Sequence, residues 1–253
     1  MIAAPFLSWV AASLLFALRI GPLFLSAPPF TLVRLPATFR VLLSLGIAAA
    51  VMAGRADPLR GLSLEAGPLA LASARELLLG LVFVVPFQLA FGAIYFAGRT
   101  VDIQGGFGLA LLIDPTSRAQ TPLIGTLFAL LAGMLFFSFG GHEDVLRILA
   151  ASTDAIPVGA ASFPDSLGPL AAFLSTIFAA AFGMAGGLIL SLFLVDLAIA
   201  ALSRTVPQMN VLVLGFQVKT IVLLLALPAT LALTATMLVR MLRLTIDALP
   251  RLA

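Results

Sequence analysis

Five ionisable side chains lie inside long apolar stretches of this chain: Arg19, Arg75, Glu76, Asp196 and Lys219. A charge in hydrocarbon is costly, so each is expected to face protein or water and to have a partner. Asp196 and Lys219 fall on consecutive apolar segments, each about ten to fifteen residues from Pro207. At a rise of about 1.5 Å per residue, they sit at similar heights on two antiparallel helices. They are the best candidate for an intramolecular ion pair. Two other readings stay open: each faces a different subunit or water, or the two form a proton or ion relay. One acid with one base is more often structural.

Other chemistry is thinner. His142-Glu143 lacks the second histidine of a metalloprotease helix, so a loop cap is expected there rather than a metal site. The chain has no Cys and one His, which removes disulfides, thiol nucleophiles, Cys-ligated metals and most His-based acid–base catalysis. Gly105-x-x-Gly108 is no phosphate fingerprint, since no strand or helix start surrounds it at the right spacing. No nucleophile–base or metal constellation emerges, so an enzyme and a bound cofactor are not expected.

The stretch Gly105-Gly106-Phe107-Gly108-Leu109-Ala110-Leu111-Leu112-Ile113-Asp114-Pro115 has a different character. Three glycines allow bending, close packing and positive φ, and Asp-Pro favours a turn. The segment is too short to span a bilayer. It reads as a loop or re-entrant piece buried in protein or lining a pore, because lipid cannot satisfy irregular backbone.

The elements that must position these residues follow from composition. The chain is 62% hydrophobic and only 10% charged, with mean hydropathy +1.19, which puts it in the integral-membrane class. No basic region precedes the first apolar run, so a cleaved signal peptide is not expected. Basic residues are scattered, and no run suggests nucleic acid. Six main apolar segments cover about 6–25, 37–53, 68–97, 121–140, 166–202 and 211–239. Between them lie Ala27-Pro28-Pro29, Gly54 to Gly67, Gly98 to Gln120, Gly140 to Pro164, and Ser203 to Gln208, all rich in Pro, Gly or charge.

Two segments are overlong. Leu167 to Leu202 is barely long enough for two spans with a turn, with Gly183-Met184-Ala185-Gly186-Gly187 as a kink or hairpin. Val211 to Leu244 is interrupted by Pro228, a kink site. Small-residue clusters such as Ala179-Ala180-Ala181 and Gly183 to Gly187 favour close helix packing. Phe136, Phe137 and Phe139 read as core or lipid-facing. If six spans place both termini on one side, that side carries Arg55, Arg60, Arg147, Arg240, Arg243 and Arg251. The other carries Arg34, Arg40, Arg99, Arg118 and Arg204. The near-equality predicts no orientation and argues against an ordinary transporter topology. The expected fold is an all-α, membrane-associated single domain over 1–253: about six long apolar helical segments, several kinked or in hairpins, with a Gly-rich, plug-like loop.

Several blocks carry a resemblance. They are Ala17-Leu18-Arg19-Ile20-Gly21-Pro22-Leu23-Phe24, then Leu35-Pro36 and Arg40, then Gly105 to Pro115. Leu130 to Phe137 follows with Gly140-Gly141-His142, then Ile156-Pro157-Val158-Gly159. The last is Val206-Pro207-Gln208-Met209-Asn210-Val211, continuing to Gly215-Phe216-Gln217-Val218-Lys219. In this order the chain resembles the FliR/SctT family, the export-gate component of bacterial flagellar and virulence type III secretion systems. The Pro207-Gln208-Met209-Asn210 block with its downstream lysine is the most specific. Gln217 departs from the proline common in that place.

The resemblance implies a non-enzymatic, channel-forming subunit in the bacterial inner membrane, within the flagellar basal body or injectisome. It implies assembly with several copies of the P and Q export-gate components. A large autoinhibitory export membrane protein and an ATPase would lie on the entry side, and unfolded polypeptides would pass through the centre. It implies helical hairpins raised toward the periplasmic side, and a plug at Gly105 to Gln120. Phe107, Leu109, Leu111, Leu112 and Ile113 would then fill and dewet a constriction. Gly105, Gly106 and Gly108 would let the segment move, and Asp114-Pro115 would anchor its far end. Length and the short C-terminal tail favour the flagellar system. The competing class is an independent secondary transporter or channel using Asp196, Lys219 and Glu76 with a re-entrant Gly-rich filter.

Overall fold

The computed structural model describes residues 3–55, 59, 63–107, 122–160, 168–205 and 211–252. Among the described residues there are seven helices and no strands. They are α1 (Ala3–Ser26), α2 (Ala37–Ala53), α3 (Ala66–Gln104), α4 (Leu123–Ser138), α5 (Gly141–Ala155), α6 (Gly168–Thr205) and α7 (Val211–Leu252). Four of them contain stretches long and apolar enough to cross a membrane: Phe6–Ser26, Ala66–Gln104, Gly168–Thr205 and Val213–Arg251. The pair α4 and α5, bent by 68° at its break, is a fifth candidate.

Helices α3, α6 and α7 have 39, 38 and 42 residues, far beyond the roughly 20 that one span requires. The hairpin expected at Gly183 to Gly187 does not form, because α6 is continuous through it. A glycine in a helix costs about 1 kcal/mol relative to alanine. Breaking the helix in an apolar medium would leave backbone groups unsatisfied at several kcal/mol each, so the helix persists. Nor is α7 interrupted at Pro228. The segment ending at 97 runs on to Gln104, so Arg99 and Asp102 lie in α3 rather than in a turn.

The stretch Gly140 to Pro164 was expected to be a loop, yet it contains α5. That helix is polar outside and presents Gly141, Val145, Leu149 and Thr153 as its buried stripe. Four-residue spacing of this kind is a helical signal. Gly140, with φ +78°, is the N-cap, and Glu143 and Asp144 occupy the first turn, where carboxylates favour the positive end of the helix. The cap expected at His142-Glu143 is therefore supplied by Gly140, with His142 inside the helix.

The chain divides into two compact units. The first comprises 1–89, 136–174 and 242–253, and the second comprises 90–135 and 175–241. In the first, α1 and α2 pack together, and Phe16, Ile20 and Leu23 of α1 are buried with Phe83 and Phe87 of α3. An aromatic cluster continues this core. Phe30 lies 4.8 Å from Phe24 and 5.8 Å from Phe136, and Phe136 lies 5.9 Å from Phe87 and from Phe139. Of the two readings for these phenylalanines, Phe136 takes the core one, at zero exposure. The α1 C-terminus is closed by side chains: Gln88 Nε2 donates to Ser26 O at 2.6 Å and Arg40 Nη1 to Leu25 O at 3.3 Å.

In the second unit, Ile94, Ala97 and Val101 of α3 are buried, as are Phe128 and Ala132 of α4 and Ala181, Ala185, Leu188 and Leu192 of α6. Of the alanines in the small-residue clusters, Ala181 and Ala185 pack as expected, while Ala179 is exposed. Gly183, Gly186 and Gly187 do not pack closely, since a Cβ built on any of them meets nothing within 4 Å.

Close approach instead requires Gly80. A Cβ there would lie 2.4 Å from the Arg19 carbonyl oxygen and 2.9 Å from that of Leu18. Backbone cannot yield as a side chain does. Gly80→Ala is expected to lower stability by about 1–3 kcal/mol, read as a lower melting temperature in detergent. Gly183→Ala should leave it unchanged or slightly raised.

Candidate functional site

Arg19 is the largest side chain at zero exposure, and Glu76 is equally buried. Their positions follow from helical register: Arg19 shares a face of α1 with buried Phe16 and Leu23, and Glu76 shares a face of α3 with buried Ala72, Leu79 and Phe83. The guanidinium meets the carboxylate in a fork. Arg19 Nε donates to Glu76 Oε2 at 2.6 Å and Nη2 donates to Oε1 at 2.9 Å. Arg19 Nη1 also donates to Ser152 Oγ, and Nη2 to the Ile156 carbonyl, both at 3.0 Å. The Gly159 N–H donates to Glu76 Oε1 at 2.6 Å, and Gly159 has φ +85°, a conformation suited to glycine. The Phe16 ring centroid lies 5.8 Å from the guanidinium carbon. Bidentate, charge-assisted bonds of this kind are the strong class.

These two charges, expected to have partners, have each other. Ser152, Ile156 and Gly159 were not foreseen as their partners. The only available signal was that Ile156-Pro157-Val158-Gly159 is a family block. Arg75, beside Glu76, is exposed.

The α6–α7 pair places Lys219 Nζ 2.5 Å from Asp196 Oδ1, with side-chain exposures of 17% and 39%. Glu76 is held by Arg19 and the Gly159 amide. Arg55, at the end of α2, binds Asp154 of α5 through both Nη atoms and donates to the Ala150 carbonyl at 3.1 Å. The hydrogen bond to Asp154, and its charge, hold the Arg55 guanidinium above its usual range against partial desolvation. The remaining pairs, Arg147 with Glu143 and Asp144, are exposed and contribute little.

His142 packs 5.5 Å from the Phe137 ring. Among the described residues no group of three His, Cys, Asp or Glu could hold a metal. Of the Gly-rich block, Gly105, Gly106 and Phe107 directly follow α3, and Gly106 has φ +87°. Gly108, Leu109, Leu111, Leu112, Ile113, Asp114 and Pro115 lie outside the described residues, as do Pro207, Gln208, Met209 and Asn210.

A buried Arg–Glu fork and a paired Asp–Lys offer no nucleophile; each joins two helices, α1 to α3 and α6 to α7. A family model for bacterial export proteins, family 1, matches residues 10–245. The chain belongs to that family, the FliR/SctT components of the type III export apparatus. It is 33% identical over 212 residues to the flagellar biosynthetic protein FliR of Bacillus subtilis (strain 168), covering 82% of this chain and 81% of that protein. It is 29% identical over 150 residues to FliR of Escherichia coli (strain K12), covering 57% and 56%. It is 32% identical over 162 residues to the Yop proteins translocation protein T of Yersinia pestis, covering 62% of each. This is a family of structural export-apparatus components rather than enzymes. Its members work in a hetero-oligomeric apparatus, and the apolar helices place this chain in a membrane.

Removing one member of a buried pair strands the other, at a cost of about 3–5 kcal/mol. Arg19→Ala and Glu76→Ala are each expected to lose that much, seen as sharply reduced accumulation in membranes and a depressed detergent melting temperature. Arg147→Ala, at an exposed pair, should stay within about 0.5 kcal/mol of the parent.

Proposed function

We propose that this chain is the channel-forming subunit of a type III protein export gate. It assembles with P and Q components in the bacterial inner membrane, so that unfolded substrates cross through the assembly. The whole of 1–253 acts as one gate module, facing a large autoinhibitory membrane protein on the entry side. The observation that carries this reading is the match to the export family across residues 10–245. Consistent with it, α6 and α7 leave large apolar side chains such as Leu190, Leu225 and Leu233 exposed, as surfaces covered by neighbouring subunits and lipid would be. The chain serves flagellar biosynthesis; the support is the single match to the flagellar relative from Bacillus subtilis over 82% of it, since a further flagellar relative at 57% is matched no more widely than a virulence relative at 62%.

Within the gate, Gly105 to Gln120 is the plug. Its apolar side chains dewet the idle pore, and its glycines let it swing aside for a substrate. Asp196 and Lys219 are structural and hold α6 to α7.

Two measurements test this. Tagged chain purified in mild detergent should bring down P and Q export components in one stable complex, identified by mass spectrometry. A monodisperse particle of this chain alone, active in liposomes, would instead make it an independent solute transporter. Deleting residues 105–113 in cells should raise ion leak several-fold at an unchanged amount of complex. An unchanged leak would remove the plug role.

A further inference from the structure

Helices α1 and α2 leave an open groove of about 330 Å³ between them. Leu14, Leu18, Gly21 and Leu25 of α1 form one wall, and Val41 and Leu45 of α2 form the other. Ser44 also borders the groove, but its hydroxyl already donates to the Arg40 carbonyl at 2.8 Å. The lining is therefore hydrocarbon. Gly21 keeps the groove open, since a Cβ built there meets nothing within 4 Å. From Leu14 to Leu25 the wall runs about 16 Å at the helical rise. Spread over that length, the volume gives a mean cross-section of about 20 Å². That is the girth of one alkyl chain. A helix with its side chains is about 10 Å across and is too wide to enter.

One end of the groove is cationic. Arg40, next to Val41, donates from Nη1 to the Leu25 carbonyl at 3.3 Å and from Nη2 to the Val33 carbonyl at 3.1 Å. Those bonds fix the guanidinium at the Leu25 end and use two of its five N–H donors. Arg34, next to Val33, is exposed and has no partner among the described residues. Neither arginine pairs with a carboxylate among the described residues. No side chain caps the N-terminus of α2, so the positive end of its dipole adds to the same field. A hydrocarbon slot that ends at unneutralised cations is complementary to an amphiphile with an anionic head.

We propose that the α1–α2 groove binds one anionic phospholipid. An acyl chain lies along Leu14 to Leu25, and the phosphate meets Arg34 and Arg40. With Phe6–Ser26 crossing the membrane, the headgroup falls at the interface, just past Ser26. The site depends neither on the plug nor on the pairing of Asp196 with Lys219.

The test reconstitutes the purified complex into vesicles of phosphatidylcholine and phosphatidylglycerol in equal parts. One of the two lipids carries a photoreactive diazirine on its acyl chain, and the labelled residues are mapped by mass spectrometry. Phosphatidylglycerol should label 14–25 and 41–45 several-fold more than phosphatidylcholine does. Arg34→Gln, at an exposed side chain, should bring that ratio down about fivefold, the effect of one arginine at a headgroup. Gly21→Leu fills the groove and should reduce labelling there by both lipids, with labelling of α6 unchanged. Leu45→Trp repeats the comparison if the Gly21 variant assembles poorly, since Gly21 precedes Pro22. Equal labelling by the two lipids, or labelling that neither Arg34→Gln nor the groove-filling variants move, marks ordinary bilayer contact and overturns the proposal. Absent labelling overturns it as well. A photoreactive residue placed at Val41 that then crosslinks to another subunit, or to a second copy of this chain, shows that protein covers the groove instead.

Discussion

An arginine and a glutamate at zero exposure would be prohibitive as isolated charges in an apolar molecule. They are tolerable here because four of the five guanidinium N–H groups have partners. The fork to Glu76 takes Nε and one Nη2 proton of Arg19, while Ser152 and the Ile156 carbonyl take one Nη1 and the other Nη2 proton. The Gly159 amide supplies Glu76 with one more donor. Four separate pieces of chain, namely α1, α3, α5 and the 156–159 turn, must be in place together for those bonds to form. The first unit is organised around this requirement. Gly80 lets α3 approach the Arg19 carbonyl closely enough for the fork to form, and the aromatic cluster around Phe136 packs the remaining space.

The same logic of satisfied polar groups governs helix ends. In a molecule this apolar, termini have little water to turn to, so side chains from elsewhere in the chain finish them. Gln88 and Arg40 take the last carbonyls of α1, and Asp102 takes the first amides of α4. Each such bond ties a helix end to a residue distant in sequence. Polar side chains, few in number, therefore determine how the helices are placed, and the abundant apolar ones fill the space between them.

Much of this was legible beforehand in kind but not in partner. Charges inside apolar runs announce themselves, so Arg19, Glu76, Asp196 and Lys219 stood out at once. Asp196 with Lys219 was also legible as a pair, because one short turn separates their helices and similar distances from Pro207 set their heights. Arg19 with Glu76 was not, since 57 positions separate them and no local rule gives the rotation of one helix against another. Asp102 looked like the marker of a turn, because Gly98 and the glycines after it read as a break. Helix α5 was hidden by its polarity, although Gly141, Val145, Leu149 and Thr153 are spaced for one buried stripe.

The order and type of residues alone determined the class of this protein. A chain so apolar and so poor in charge must satisfy its backbone internally, and for runs of this length that means helices. Composition also removed thiol chemistry, Cys-ligated metals and most His-based chemistry, and the motif blocks pointed to the export family that the comparison over residues 10–245 then showed. Tertiary structure decided what holds the helices: which carboxylate meets Arg19, where the glycines let backbones touch, and whose side chain caps α4. Local propensity reaches only a few residues along a chain. These choices depend on helix rotation and on contacts between distant segments, and only packing selects among them.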